Sequence, residues 1–198
     1  MVCPRGEMAH ARRLRKLVAA PVRGYTMSRP EQGGRVIARS SSRVHLPDEA
    51  ATAALGARLA RVVRARDVVA LWGALGAGKT ALARAVIQAL PLPDGTPAAE
   101  AVPSPSFTLV QIYDRRPASV WHIDLYRIGE PDEVIELGWN EALATGIVLV
   151  EWPDRAGRLL PEARLDIELA DAEGGGRVAT LTDRGGWGER LTEVAGDA

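Results

Sequence analysis

Asp67-Val68-Val69-Ala70-Leu71-Trp72 runs directly into Gly73-Ala74-Leu75-Gly76-Ala77-Gly78-Lys79-Thr80, and then into Ala81-Leu82-Ala83-Arg84-Ala85-Val86-Ile87. The first run is compact and apolar without alternation, the pattern of a strand buried on both faces. The last continues to Leu90, where Pro91 stops it, and reads as a helix over Thr80 to Leu90. Between them stands G-x-x-x-x-G-K-[ST], flanked by the strand and helix that this motif requires. Glycines let successive backbone N–H groups curl around an anion where a Cβ would obstruct the approach. The helix turns its positive pole toward the same point. Lys79 is placed to bridge β- and γ-phosphates, and the Thr80 hydroxyl to ligate Mg²⁺. The stretch Gly73 to Ala81 is therefore the nucleotide-binding candidate, with ATP and Mg²⁺ as the expected ligands. No N-K-x-D-type guanine-reading segment is found, although the base pocket is not legible from the residues and GTP stays open.

Lysine usage singles out the same position. Of 25 basic residues only Lys16 and Lys79 are lysine; the rest are arginine. A compact, mobile ammonium is what a phosphate loop needs, and a planar guanidinium is a poor substitute.

Two carboxylates stand at strand ends further along. Glu151 closes the apolar run Ile147 to Val150, and ligands in open α/β sheets gather beyond the carboxyl ends of strands. It is placed as the second Mg²⁺ ligand beside Thr80, or as a group polarising the attacking water. Asp124 closes a short strand from Val120, two residues after His122, so period-two geometry sets both on one face and Trp121 and Ile123 on the other. Lys79, Glu151 and Asp124 are the catalytic candidates, with His122 in a supporting hydrogen-bonding role. Ser104-Pro105-Ser106-Phe107-Thr108 has two readings, a switch segment sensing the γ-phosphate or a turn entering a strand. Trp152, beside Glu151, is the tryptophan best placed to face a nucleotide or partner. His10 and His45 lack the cysteine or carboxylate spacing of a zinc site.

Around these residues the pattern predicts an α/β, P-loop NTPase-like three-layer fold. Its central sheet is expected to be mixed and mostly parallel, with helices on both faces. Arg43 to Leu46 reads as a short strand. A helix capped by Asp48 follows, through Leu55, Leu59 and Val62. Residues 91–105, with five prolines, read as a surface loop. Thr108 to Tyr113 and Val120 to Asp124 are strands, and Pro131 to Leu137 is a helix. Leu165 to Leu169 and Arg177 to Leu181 form a hairpin around Gly174-Gly175-Gly176.

Residues 43–185 are read as the P-loop domain and 186–198 as a tail. Residues 1–42 form a basic extension expected to be disordered, with Ser40-Ser41-Ser42 as a linker. Through residue 43 the chain carries ten basic and two acidic residues, +8, so the zero net charge leaves −8 on the remainder. A basic arm on an acidic body has two readings, a contact for nucleic acid (a weak tRNA contact) or an acidic partner, and a solvated tail. Cys3 is the only cysteine, no apolar run approaches the ~20 residues of a membrane span, and the composition is that of a soluble globule. These features predict a cytoplasmic protein with no membrane or DNA partner.

Together, L-G-A-G-K-T (Leu75 to Thr80), S-P-x-[FY]-T-L-V (Ser104 to Val110), H-x-D-L-Y-R (His122 to Arg127) and L-V-E-W-P (Leu149 to Pro153) resemble the TsaE (YjeE) family of bacterial ATPases over residues 45–183. The resemblance implies a role in forming threonylcarbamoyladenosine at tRNA position 37, with TsaD-like and TsaB-like partners. It implies that Lys79 contacts phosphate, Thr80 and Glu151 ligate Mg²⁺, Asp124 assists at metal or water, and Ser106 and Thr108 belong to a switch-like loop. Ala74, Ala81 and Ser106 depart from the residues usual in the family. The competing readings are a small-molecule P-loop kinase and a nucleotide-dependent binding module without hydrolysis. Slow isolated hydrolysis is expected, with Arg127 or a partner residue as candidate arginine finger.

Overall fold

The computed structural model describes residues 40–196. The expected basic extension therefore lies, except for its last three residues, outside the described residues.

Seven strands form one sheet: β1 (Ser40–Leu46), β2 (Val68–Trp72), β3 (Val110–Tyr113), β4 (Val120–Asp124), β5 (Ile147–Glu151), β6 (Leu165–Asp171) and β7 (Arg177–Asp183). Their spatial order is β1-β7-β6-β2-β5-β4-β3. The four central strands β6, β2, β5 and β4 are parallel, while β3, β7 and β1 add antiparallel margins. The mixed α/β sheet anticipated from the sequence is thus present, parallel at its centre and antiparallel at both edges.

Period two divides the side chains of the central strands between two cores. Val69, Leu71, Ile147 and Leu149 join Leu59, Leu82, Val86 and Leu191 on one face. Val68, Ala70, Val148 and Val150 join Val134, Trp139 and Ala142 on the other. On the first face lie α1 (Glu49–Val62), α2 (Lys79–Ala89) and α5 (Glu189–Ala195); on the second lie α3 (Glu133–Glu136) and α4 (Trp139–Thr145). Burial of each such Leu or Val contributes about 1.5–3 kcal/mol.

The Asp48 side chain accepts from Ala51 N at 2.8 Å and starts α1. That helix buries Thr52, Leu55, Gly56, Leu59 and Val62, the stripe expected of an amphipathic helix. It crosses α2 very closely: a Cβ built on Gly56 would stand 2.4 Å from the Ala85 Cβ.

Several boundaries differ from those read in the sequence. Ser40-Ser41-Ser42 is no linker but the start of β1, paired with Asp183, Thr182 and Leu181. Residues 186–196 are not a free tail. Trp187, Leu191 and Val194 are buried, and the Asp183 carboxylate gathers the amides of Gly185, Trp187 and Gly188 at 2.6, 3.4 and 2.8 Å. Arg190 forks onto both Asp67 carboxylate oxygens, at 2.6 and 3.1 Å. Strand β3 begins at Val110 because Leu109 takes φ 65°. The helix read over Pro131 to Leu137 is reduced to α3, and left-handed Gly138 restarts the chain as α4, which the sequence reading did not anticipate. A 3-10 segment, Pro153–Leu159, broken at Gly157, follows β5 and was also not anticipated.

Candidate functional site

The carboxyl ends of β2, β4 and β5 open onto one edge of the sheet, and Lys79, Thr80, Asp124 and Glu151 all stand there. Strand β2 delivers the loop Gly73 to Gly78. Gly73, at φ 137°, passes so close to β6 that a Cβ would stand 2.5 Å from the Leu169 carbonyl oxygen. Gly76 and Gly78 also take positive φ, 81° and 102°. Ala77 is buried in the core below, while Leu75 projects outward, 76% exposed.

Helix α2 begins at Lys79 with Gly78 as N-cap, without a side-chain cap and without an acidic residue in its first turn. Its leading N–H groups therefore keep the unpaired character of a helix start, unlike those of α1. An anion fits that position both electrostatically and by hydrogen bonding.

Lys79 is the only lysine among the described residues and is almost fully buried, 4% exposed. Its Nζ donates to the Gly73 and Ala74 carbonyls at 2.7 and 2.8 Å and lies 3.9 Å from the Trp152 ring centre. Burial pulls the ammonium below its ordinary pKa, opposed by the charges of Glu151, Asp124 and Asp154.

Across the cleft, β4 and β5 run parallel with Asp124 opposite Glu151. Strand parity turns both toward α2. Glu151 is held at both oxygens: Thr80 Oγ1 donates to Oε2 at 2.9 Å, and His122 Nε2 lies 2.8 Å from Oε1. An ionised carboxylate only accepts, and with Glu151 in that form His122 Nε2 is the donor of the pair. Its Nδ1 is buried without a hydrogen-bond partner. Asp124 accepts from Tyr126 N at 3.0 Å and from the Ser106 side chain. Burial raises the pKa of its carboxyl, and neighbouring Glu151 raises it further; the bonds to Tyr126 and Ser106 and the nearby His122 pull the other way.

The cleft is lined by Leu75, Gly76, Gly78, Lys79, Thr80, Ser106, Asp124, Tyr126, Glu151 and Trp152. Gly73, Ala74, Ala77 and Ala81 lie outside this lining. Thr80, Glu151 and Asp124 bring oxygen donors together. Among the described residues no three His, Cys, Asp or Glu form a ready metal cage. A partial set of oxygen donors beside an anion site suits a hard ion such as Mg²⁺, which keeps waters and phosphate oxygens in its shell.

Trp152 takes the left-handed conformation, φ 57°, which costs a bulky side chain about 1 kcal/mol or more. That turn places its ring over Lys79 and 5.0 Å from the Tyr126 ring. Within the Ser104 to Thr108 segment, Ser106 reaches the cleft and lies 2.5 Å from Ser104 Oγ, whereas Thr108 and Phe107 face outward. The segment is tied down at Leu109, whose N–H donates to Pro105 O and whose carbonyl accepts from Asp124 N. Arg127 is not in the cleft; its guanidinium lies 4.7 Å from the Phe107 ring centre.

Two participants were not assigned from the sequence. Tyr126 was within reach, since it follows Asp124 in the quoted H-x-D-L-Y-R. Arg177 was not: it arrives from β7, about a hundred residues from the loop, and its Nη2 donates to Gly76 O at 3.2 Å.

Residues 46–179 match the family model for Threonylcarbamoyl adenosine biosynthesis protein TsaE. The tRNA threonylcarbamoyladenosine biosynthesis protein TsaE of Rickettsia conorii is 33% identical over 136 residues, 69% of this chain and 75% of that protein. The protein of the same name from Aquifex aeolicus is 37% identical over 128 residues, 65% of this chain and 87% of its own. A crystal structure of YdiB from Bacillus matches with a TM-score of 0.60 and 27% identity, over 77% of this chain and 91% of that one. No helix among the described residues is long and apolar enough to cross a membrane.

Proposed function

The chain belongs to the TsaE family of tRNA threonylcarbamoyladenosine biosynthesis proteins, and from that premise we propose that it is the Mg²⁺-dependent subunit that binds and hydrolyses ATP in that process, acting with a TsaD-like and a TsaB-like partner. The carrying observation is the pairing of opposites across one cleft. The uncapped start of α2, with the buried Lys79 and the Thr80 hydroxyl in its first turn, faces the carboxylates of Glu151 and Asp124.

In this reading the amides of the loop and of the first turn of α2 bind the phosphates. Lys79 exchanges the Gly73 and Ala74 carbonyls for phosphate oxygens, a short move for a flexible stem. Thr80 and Glu151 would hold Mg²⁺, and His122 keeps the Glu151 carboxylate oriented for it. Mg²⁺, when bound, supplies charge neutralisation on the transferring phosphoryl oxygens. Asp124, its proton affinity raised, orients the water that attacks. Trp152 and Tyr126 shield the ammonium from bulk solvent, which strengthens its field at the phosphates.

The partner reading draws on the rim of the same cleft. Leu75 and Phe107, the chain's single phenylalanine, are 76% and 81% exposed beside it. Apolar side chains presented this way at a polar site suit a protein surface that closes over it.

Calorimetric titration with Mg²⁺-ATP and measured ADP release test the reading. Lys79→Ala abolishes binding; Glu151→Ala leaves binding within a few-fold and lowers hydrolysis by about 10²-fold or more. Wild-type turnover in Lys79→Ala would remove Lys79 from the chemistry. Pull-downs with the two partner proteins in ATP, ADP and no nucleotide test the assembly, and absence of contact in all three defeats it.

A further inference from the structure

We propose that Arg177 is a positioning residue of the phosphate loop, pinning the Gly76–Ala77 peptide so that the loop meets a triphosphate already in its bound shape. The proposal rests on the ATP reading above and adds to it a group that neither the motif nor the strand ends supply.

Arg177 opens β7, paired with Asp171 on one side and Leu46 on the other, at the sheet edge where the loop emerges. Its Nη2 donates to the Gly76 carbonyl at 3.2 Å. The same guanidinium covers Gly78: a Cβ built there would stand 3.4–3.5 Å from its Nη1, Cζ and Nε atoms. The other end of the same peptide is also held, because Ala77 N–H donates to Ala74 O at 3.2 Å. A planar peptide fixed through both its carbonyl and its N–H cannot rotate. Its flanking glycines would otherwise be the freest joints in the loop.

A second observation points the same way. Arg177 Nε is buried without a hydrogen-bond partner. A buried donor left unmet is destabilising, so the guanidinium occupies this place against a local cost. Arginine stays charged at every relevant pH, so the charge beside Gly76 and Gly78 adds to the positive field that receives the anion.

Preorganisation of this kind acts on bound ground state and transition state alike, and therefore on affinity rather than on the chemical step. Arg177→Ala weakens Mg²⁺-ATP and Mg²⁺-ADP binding by roughly tenfold, as loss of one charge-assisted bond implies. KM for ATP rises in parallel, and kcat changes by less than about twofold. Arg177→Lys, which keeps the charge and one donor, restores most of the affinity. Arg177→Gln, which keeps a donor without charge, falls between the two.

The experiment is calorimetric titration with Mg²⁺-ADP and Mg²⁺-ATP together with steady-state ADP release, on the full chain and these three variants, with thermal melting of each. If Arg177→Ala does not fold, the Lys and Gln variants carry the comparison, and their identity with wild type in affinity overturns the proposal. So does unchanged affinity in a folded Arg177→Ala. A fall in kcat at unchanged affinity overturns it too, since that is the mark of a group touching the transition state. If the wild-type chain binds no nucleotide, the ATP reading falls and this proposal with it. If wild type binds and Arg177→Ala binds equally, only this proposal falls.

Discussion

Replacing Gly56 by alanine ought, on helix propensity alone, to stabilise the protein. Position 56 is interior to α1, and Gly→Ala in a helix gains about 1 kcal/mol. The packing predicts the reverse. The new methyl would stand 2.4 Å from Ala85 Cβ, 2.9 Å from Ala85 C and 3.0 Å from Val86 N. Ordinary contact between such atoms begins near about 3.5 Å, so α1 and α2 must part by roughly 1 Å. Overpacking of this kind costs about 1–3 kcal/mol. The net expectation is a loss of up to about 2 kcal/mol, or up to roughly 4–8 °C in Tm for a domain of this size. Thermal and urea melts measure it. Ala85→Gly adds room at the closest contact while leaving the backbone contacts, so the double variant should lose less than the sum of the singles. Because α2 carries Lys79 and Thr80, Mg²⁺-ATP affinity should fall alongside stability and recover with it. A Gly56→Ala protein more stable than wild type would refute the argument, since propensity alone would then account for the site.

Asp124→Asn should raise Tm at neutral pH when Mg²⁺ is absent. The carboxyl's folded pKa lies above its ordinary value of 3.8, so between those values the folded chain retains a proton that the unfolded chain releases. Stability therefore falls as pH rises through that window, and the advantage of Asn should vanish as pH drops below it; melts between about pH 3 and pH 8 follow both changes. Asp183→Asn turns the acceptor facing Gly188 N into a donor. It should cost about 2–4 kcal/mol and loosen α5, read as a red shift in the fluorescence of Trp187 against the other tryptophans; an unchanged Tm would show that the three amides are satisfied without the carboxylate.

The parts of the fold that were legible are those in which local pattern and tertiary role agree. Strands β2 and β5 are buried apolar runs with no competing signal, β4 alternates His122 and Asp124 with apolar neighbours, and the Asp48 cap and the loop from Gly73 carry their own chemistry. Their ends supply Lys79, Thr80, Asp124 and Glu151, and these four do line one cleft. What was not legible depends on contacts distant in sequence. Ser40-Ser41-Ser42 has linker composition and becomes strand only because β7 offers it an edge. Residues 189–195 are too short to form a helix alone and do so over α1, with Asp183 and Arg190 fastening them. Arg177 reads as an ordinary charge after a glycine turn until β7 carries it to Gly76. Arg127, a candidate arginine finger in the sequence, sits in the turn Tyr126–Arg127 closed by Ile128 N on Leu125 O, with its guanidinium against Phe107 rather than in the cleft lining.

The register that sets Asp124 opposite Glu151 has a consequence for biogenesis. Strand β4 is reached only after β3, and β5 only after the whole α3–α4 excursion, so the last piece of the cleft is synthesised more than seventy residues after the first. A slip of one residue between β4 and β5 would turn Asp124 into the opposite core and bring an apolar side chain to the cleft. Nascent or misregistered chains thus own the glycine loop without owning its counterpart. Ligand capture by this protein would report that the central sheet has closed correctly, and whatever depends on that capture inherits the check.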